Sequence, residues 1–147
     1  MSLPVTIPAV SDSIYGGKWT SIDAEAIRLL VLGSKGIKNI TQSVTIKAGS
    51  LTSDKVNVYN STTNYLVIRS IRVSVSGKLH LFIEDVDNVI EVSANTIVDL
   101  VSLFGISVYG SKFDVQVEVE TAPTTDTTVT VELFGFETRG KVQTPTA

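Results

Sequence analysis

From Lys112 to Glu120 the residues alternate without a break, Phe113, Val115, Val117 and Val119 on one parity and Asp114, Gln116, Glu118 and Glu120 on the other. Such a stretch buries one side only as a pleated strand, because a helix would scatter the same residues around its circumference. The pattern recurs along the chain. Val44 and Ile46 share a face within 43–47, and Val56 and Val58 repeat it. Leu79, Leu81 and Ile83 alternate with His80, Phe82 and Glu84, and Val129, Val131 and Leu133 face one way within 127–138. Composition agrees: valine (21), isoleucine (13) and threonine (17) make 51 of 147 residues, and β-branched side chains favour the strand over the helix. An all-β fold is expected.

The longest strand candidate sets Tyr65, Val67, Ile71, Val73 and Val75 on one face and Ser70, Arg72, Ser74 and Ser76 on the other, which drops Arg69 onto the apolar side. An unpaired guanidinium in a core costs several kcal/mol, so this charge must escape or find a carboxylate. Gly49-Ser50 reads as a turn, Gly77-Lys78 as a hairpin closure, and Asp85-Val86-Asp87-Asn88 as a tight acidic turn into Val89–Val92. Ile97 to Phe104 is another apolar run, and Gly105 and Gly110 bracket a short strand. Gly135 is a candidate bulge, since Phe134 and Phe136 face away from Val129, Val131 and Leu133. Roughly seven to nine strands at spacings of about 8–12 residues describe a sandwich or barrel. The reading adopted is an antiparallel two-sheet β-sandwich of jelly-roll type; an immunoglobulin-like topology uses the same alternation.

The length suits one domain. Residues 1–19 read as an extended N-terminal arm punctuated by Pro4 and Pro8, with Leu3, Val5, Ile7 and Val10 in need of an apolar surface; a disordered terminus fits equally. Residues 20–138 read as the sandwich domain. Within them, 22–33 read either as a helix capped by Thr20 and Asp23 and stopped by Gly33, or as a buried strand. Residues 139–147 read as a flexible tail. Met1-Ser2-Leu3-Pro4 has neither a basic nor an apolar leader region, and no apolar run approaches the ~18 residues that cross a bilayer, so a chain without a classical signal peptide or membrane span is expected.

The residue inventory removes most chemistry. Without cysteine there is no disulfide, thiol nucleophile or thiolate metal site. The single histidine, His80, lies mid-strand with no Gly-x-Ser-x-Gly elbow to serve, so an ordinary wet-face residue outweighs a catalytic one. Net charge is −3 with no basic block, which argues against nucleic acid or an anionic membrane as partner. Asp114, Glu118 and Glu120 share a strand face, yet an evenly charged face is also what a solvated sheet shows. Glu84, Asp85, Asp87 and Asn88 offer hard oxygens to calcium but lack the spacing of a calcium loop, and a plain turn explains them better. Asn39-Ile40-Thr41 and Asn60-Ser61-Thr62 match the short glycosylation sequon. No catalytic residue, metal or cofactor is expected.

Laid side by side, Tyr65–Val73, Glu91–Leu100 and Val129–Glu137 resemble the strands of small β-sandwich virion proteins of phages and archaeal viruses. The resemblance spans about residues 43–137 and lies in general character, that of a Val/Thr-rich chain free of cysteine with a Pro-containing arm and a loose tail. It implies a non-enzymatic structural protein of a viral particle, in a capsid, vertex, decoration or tail position. Such a protein is made in the host cytoplasm, resides in the virion and works as a homo-oligomer with copies of itself and other virion proteins. Val5, Ile7, Val10 and Phe82 are then the candidate intersubunit contacts. The alternative is a carbohydrate-binding β-sandwich module of an extracellular protein, stacking sugars on Tyr15, Trp19 and Phe82.

Overall fold

The structure, a computed structural model, describes residues 33–140. The expected arm, most of the segment read as helix or strand, and residues 141–147 lie outside the described residues. In chain order the elements are β1 (Ser34–Ile37), β2 (Ile40–Ile46), β3 (Val56–Asn60), β4 (Leu66–Val73), β5 (Gly77–Ile83) and β6 (Val86–Val92). There follow β7 (Val98–Asp99), α1 (Leu100–Phe104), β8 (Val108–Gly110), β9 (Lys112–Glu118) and β10 (Thr127–Thr138). All strand pairs are antiparallel. One sheet centres on β10 and β4, with β1 and β2 along the far side of β10 and β7 and β8 along the far side of β4. The other runs β3-β9-β5-β6. Among the described residues no helix is long and apolar enough to cross a membrane.

The two sheets share one apolar core, as the alternation demands. Val44, Ile46, Ile71, Val73, Val129, Val131 and Leu133 come from one, and Leu79, Leu81, Ile90, Phe113, Val115 and Val117 from the other. Each such side chain, fully withdrawn from water, contributes about 1.5–3 kcal/mol against leaving it exposed. This is a β-sandwich-like architecture built on the residues the period of two selects.

Arg69 escapes the core through a bulge. Phe134 pairs with Ser70 and Gly135 with Ile68, so Arg69 is the extra residue on β4 and is exposed. The inserted residue switches parity: Leu66 and Ile68 face the core before it, Ile71 and Val73 after it, in place of Tyr65 and Val67. The register change expected at Gly135 is therefore real, but the additional residue lies on the opposite strand. Gly135 itself allows the close approach, since a Cβ there would stand 1.8 Å from the Val67 carbonyl oxygen.

Three local expectations are corrected. Gly77-Lys78 does not close a hairpin, because β4 and β5 belong to different sheets and Gly77 begins the strand after the crossing. Glycine is needed there: a Cβ would lie 2.2 Å from the Glu118 carbonyl oxygen. The acidic turn sits earlier than read, with Glu84 and Asp85 at φ 50° and 68° forming a two-residue loop between Ile83 and Val86. Val86, Asp87 and Asn88 already belong to β6. Finally, Ile97–Phe104 splits into β7 and one turn of helix, for which Asp99 accepts the amides of Val101 and Ser102 and Gly105 supplies the left-handed stop.

The described ends lie together. Ser34 pairs with Thr138, and the Arg139 amide donates to the Gly33 carbonyl at 3.2 Å.

Candidate functional site

The outer face of the β3-β9-β5-β6 sheet carries the densest set of polar side chains with defined partners. The register sets Phe82 between Asp114 of β9 and Asp87 of β6, and His80 between Gln116 and Val89. Because alternate residues of β5 point outward, His80 and Phe82 stand side by side, ring centroids 6.4 Å apart and nearly parallel.

His80 is held from both sides. Its Nδ1 lies 2.9 Å from Asp87 Oδ2 and its Nε2 3.2 Å from Glu118 Oε1, tying β6, β5 and β9 together across one ring. Partial burial disfavours the imidazolium, but hydrogen bonds to the two carboxylates outweigh it and hold the His80 pKa above its ordinary value. With both ring nitrogens engaged by carboxylates, the imidazole presents no free acceptor to a hydroxyl.

Phe82 is half-buried, and Lys55 Nζ lies 4.2 Å from its ring centroid, a cation on the π face. Asp114, expected on a wet face, is instead buried: it accepts from Asn57 Nδ2 at 2.7 Å, with Lys55 Nζ 3.7 Å away. Asp114 and Glu118 thus answer to different partners, and the acidic row on β9 does not converge. The turn carboxylates both engage the Ser111-Lys112 segment. Glu84 accepts from the amide and hydroxyl of Ser111, while Asp85 bonds Lys112 Nζ at 2.8 Å, which holds the Asp85 carboxyl below its usual range. Among the described residues no group of three or more His, Asp or Glu could hold a metal ion.

Of the residues singled out from sequence, Val5, Ile7, Val10, Tyr15 and Trp19 lie outside the described residues, and Phe82 takes the place just given. Asn39 of the first sequon accepts the Gly135 amide at 3.2 Å beside the bulge. One functional-looking contact escaped sequence reasoning. Tyr59 donates to Glu137 Oε2 at 2.9 Å, joining β3 of one sheet to β10 of the other. Burial and the carboxylate push the Tyr59 pKa up to about 12, and the phenol holds Glu137 below its ordinary value. The signal was present: Glu137 has the parity of Val129, Val131 and Leu133, where a carboxylate needs a donor.

The open face of the other sheet bears an Arg72–Glu132 ion pair at 2.5 Å, beside a shallow cleft lined by Ser74, Asn95 and Thr130. A separate apolar surface surrounds α1, where Ile97, Leu103, Val101 and Phe104 are exposed. Compared with protein-family models, with curated proteins and with solved structures, the chain finds no match.

Proposed function

We propose that this chain is a non-enzymatic structural protein of a viral particle that acts by self-association, and that its sandwich is a jelly roll. The observation carrying the jelly-roll part of the reading is the nesting of its strand pairs. Counting from β2 and treating β7 and β8 as halves of one edge strand, the first strand pairs with the last (β2 with β10) and the second with the next to last (β3 with β9). The third pairs with β7 and β8, and the innermost pair is the β5–β6 hairpin. A long hairpin of four such pairs, rolled so that β10 also meets β4 and β9 also meets β5, is the double Greek key of a jelly roll. An immunoglobulin-like sandwich pairs its strands in another order.

Jelly rolls also serve lectins and other binding proteins, so the fold alone leaves the function open. Three further features support the structural reading: the resemblance of the strands to those of virion proteins, the commitment of His80 to two carboxylates, and the engagement of Asp85 by Lys112 and of Asp114 by Asn57 and Lys55. Sedimentation of the full chain at tens of micromolar, with and without residues 1–19, tests the proposal. Multimers that shrink when the arm is removed are expected. A strictly monomeric full chain overturns it, and so does glycan-array binding that Phe82→Ala abolishes.

A further inference from the structure

We infer that β6 is an intermolecular edge, pairing antiparallel with β6 of a second copy about a two-fold axis at Val89 to make one continuous sheet of eight strands. The inference rests on the self-association reading and commits it to one surface. Exposed strand edges invite pairing, and proteins blunt the ones they do not use. Among the described residues, three edges are blunted. β7 and β8 are split by α1; β3 is bulged between Asn57 and Tyr59, with Asn57 Nδ2 on the Tyr59 carbonyl; and β1 is irregular, with Lys35 on it. β2 is straight, but Gln42 Nε2 occupies the Ser43 carbonyl and the exposed residues Thr41, Ser43 and Thr45 are polar.

Among the described residues β6 has no split, bulge or side chain on an outward carbonyl, and the charges it carries are Asp87 and Glu91. It runs through seven residues without proline, lysine, glycine or a register shift, and it exposes Val86 and Val89 at 62% and 49%. Its outward backbone groups follow from the turn. In a two-residue hairpin the flanking residues, Ile83 and Val86, exchange both hydrogen bonds, so Val86, Asn88, Ile90 and Val92 bond inward to β5. The amides and carbonyls of Asp87, Val89 and Glu91 therefore point away from the sheet. Asn88 Nδ2 bonds the Val86 and Leu81 carbonyls and leaves the outward set untouched. Placing Val89 opposite Val89 of a second copy, and Asp87 opposite Glu91, engages all three residues in about six bonds between copies. Of the facing carboxylates, Asp87 is answered within its own chain by His80, while Glu91 lies opposite Lys78 in the ladder with β5.

The chain has no cysteine, so one substitution reads the axis directly. Residues paired this way hold their Cα atoms about 5.5 Å apart, within the roughly 4.4–6.8 Å reach of a disulfide. In a glutathione redox buffer the full-length Val89→Cys chain should form a covalent dimer at least about tenfold faster than Thr128→Cys, a substitution at an exposed position on β10. Val89→Pro removes an outward amide while sparing every bond to β5. With its circular dichroism unchanged, it should sediment at a lower mass than the wild type. Equal cross-linking of the two cysteine chains, or a folded Val89→Pro of wild-type mass, overturns the inference. If the mass falls on deletion of residues 1–19 but not with Val89→Pro, the β6 edge fails and self-association stands; a monomeric wild type defeats both.

Discussion

Gly135→Ala isolates the closest backbone approach made at any described glycine. The new methyl carbon would stand 1.8 Å from the Val67 carbonyl oxygen, 2.9 Å from the Val67 carbonyl carbon and 3.1 Å from Ile68 Cα, all main-chain atoms that cannot swing aside. To restore ordinary contact, β4 and β10 must part by roughly 1.4 Å or more. That stretch takes the adjoining N–H···O bonds past their useful length. The pairs Gly135–Ile68, Phe136–Val67 and Glu137–Leu66 are then lost, about three bonds at about 1 kcal/mol net each. Opening this end also wets part of Leu66 and Ile68, both 1% exposed, for about another 1–2 kcal/mol. The expected loss is about 4 kcal/mol, a large share of the roughly 5–15 kcal/mol that holds a domain folded. Gly49→Ala is the control, because Gly49 has φ +80° and open space around it and should lose only the left-handed penalty of about 1–2 kcal/mol. Urea unfolding followed by far-ultraviolet circular dichroism measures both, and melting temperatures should differ by roughly 10 °C or more. If the two variants fall within about 1 kcal/mol of each other, the argument from close approach is refuted.

His80, with its pKa raised in the folded state, contributes stability that is fully present below about pH 6.5 and is lost as pH rises through the folded value, so His80→Gln should flatten the stability-against-pH curve above about 6.5. The measurement is urea midpoint against pH, and an unchanged slope in the variant counts against the double carboxylate clamp. Thr138 is fully buried, its hydroxyl accepting the Tyr65 amide at 2.9 Å, and Thr138→Val should destabilise by about 1–3 kcal/mol by orphaning that donor. Tyr59→Phe should remove from the ultraviolet alkaline titration the component near 12 and raise the Glu137 pKa, read by carboxyl NMR; a titration unaltered by the substitution would place that component elsewhere.

The parts of the fold legible in sequence are those governed by one strand's own alternation. Phe113, Val115 and Val117, and Leu79 and Leu81, are fully buried as their parity requires. The illegible parts depend on what lies opposite. Nothing within Tyr65–Val75 says that Arg69 is an inserted residue, because a bulge is a property of two strands, although a charge on an apolar face was a fair warning. Asp114 shares the parity of Gln116 and Glu118, and only the approach of Asn57 and Lys55 from the β3 side makes it a buried residue. Gly77 looked like hairpin chemistry because a glycine required by a strand from elsewhere reads the same as one required by a turn. The run at Ile97–Phe104 has a short-range helix signal in Asp99 and Gly105, but the stretch is too short for periodicity to separate it from a strand. Of the polar face, the residue types were visible while their partners were not: His80, Asp87 and Glu118 meet only once three strands lie side by side.

The junction of Ser34 with Thr138, and of Gly33 with Arg139, brings the two ends of the sandwich to a single corner. A short peptide could splice those ends, and the chain could be reopened at the solvent-facing Glu84–Asp85 loop to give a circularly permuted version with the same strand neighbours. It also means that a load applied through both ends of the sandwich enters at one vertex.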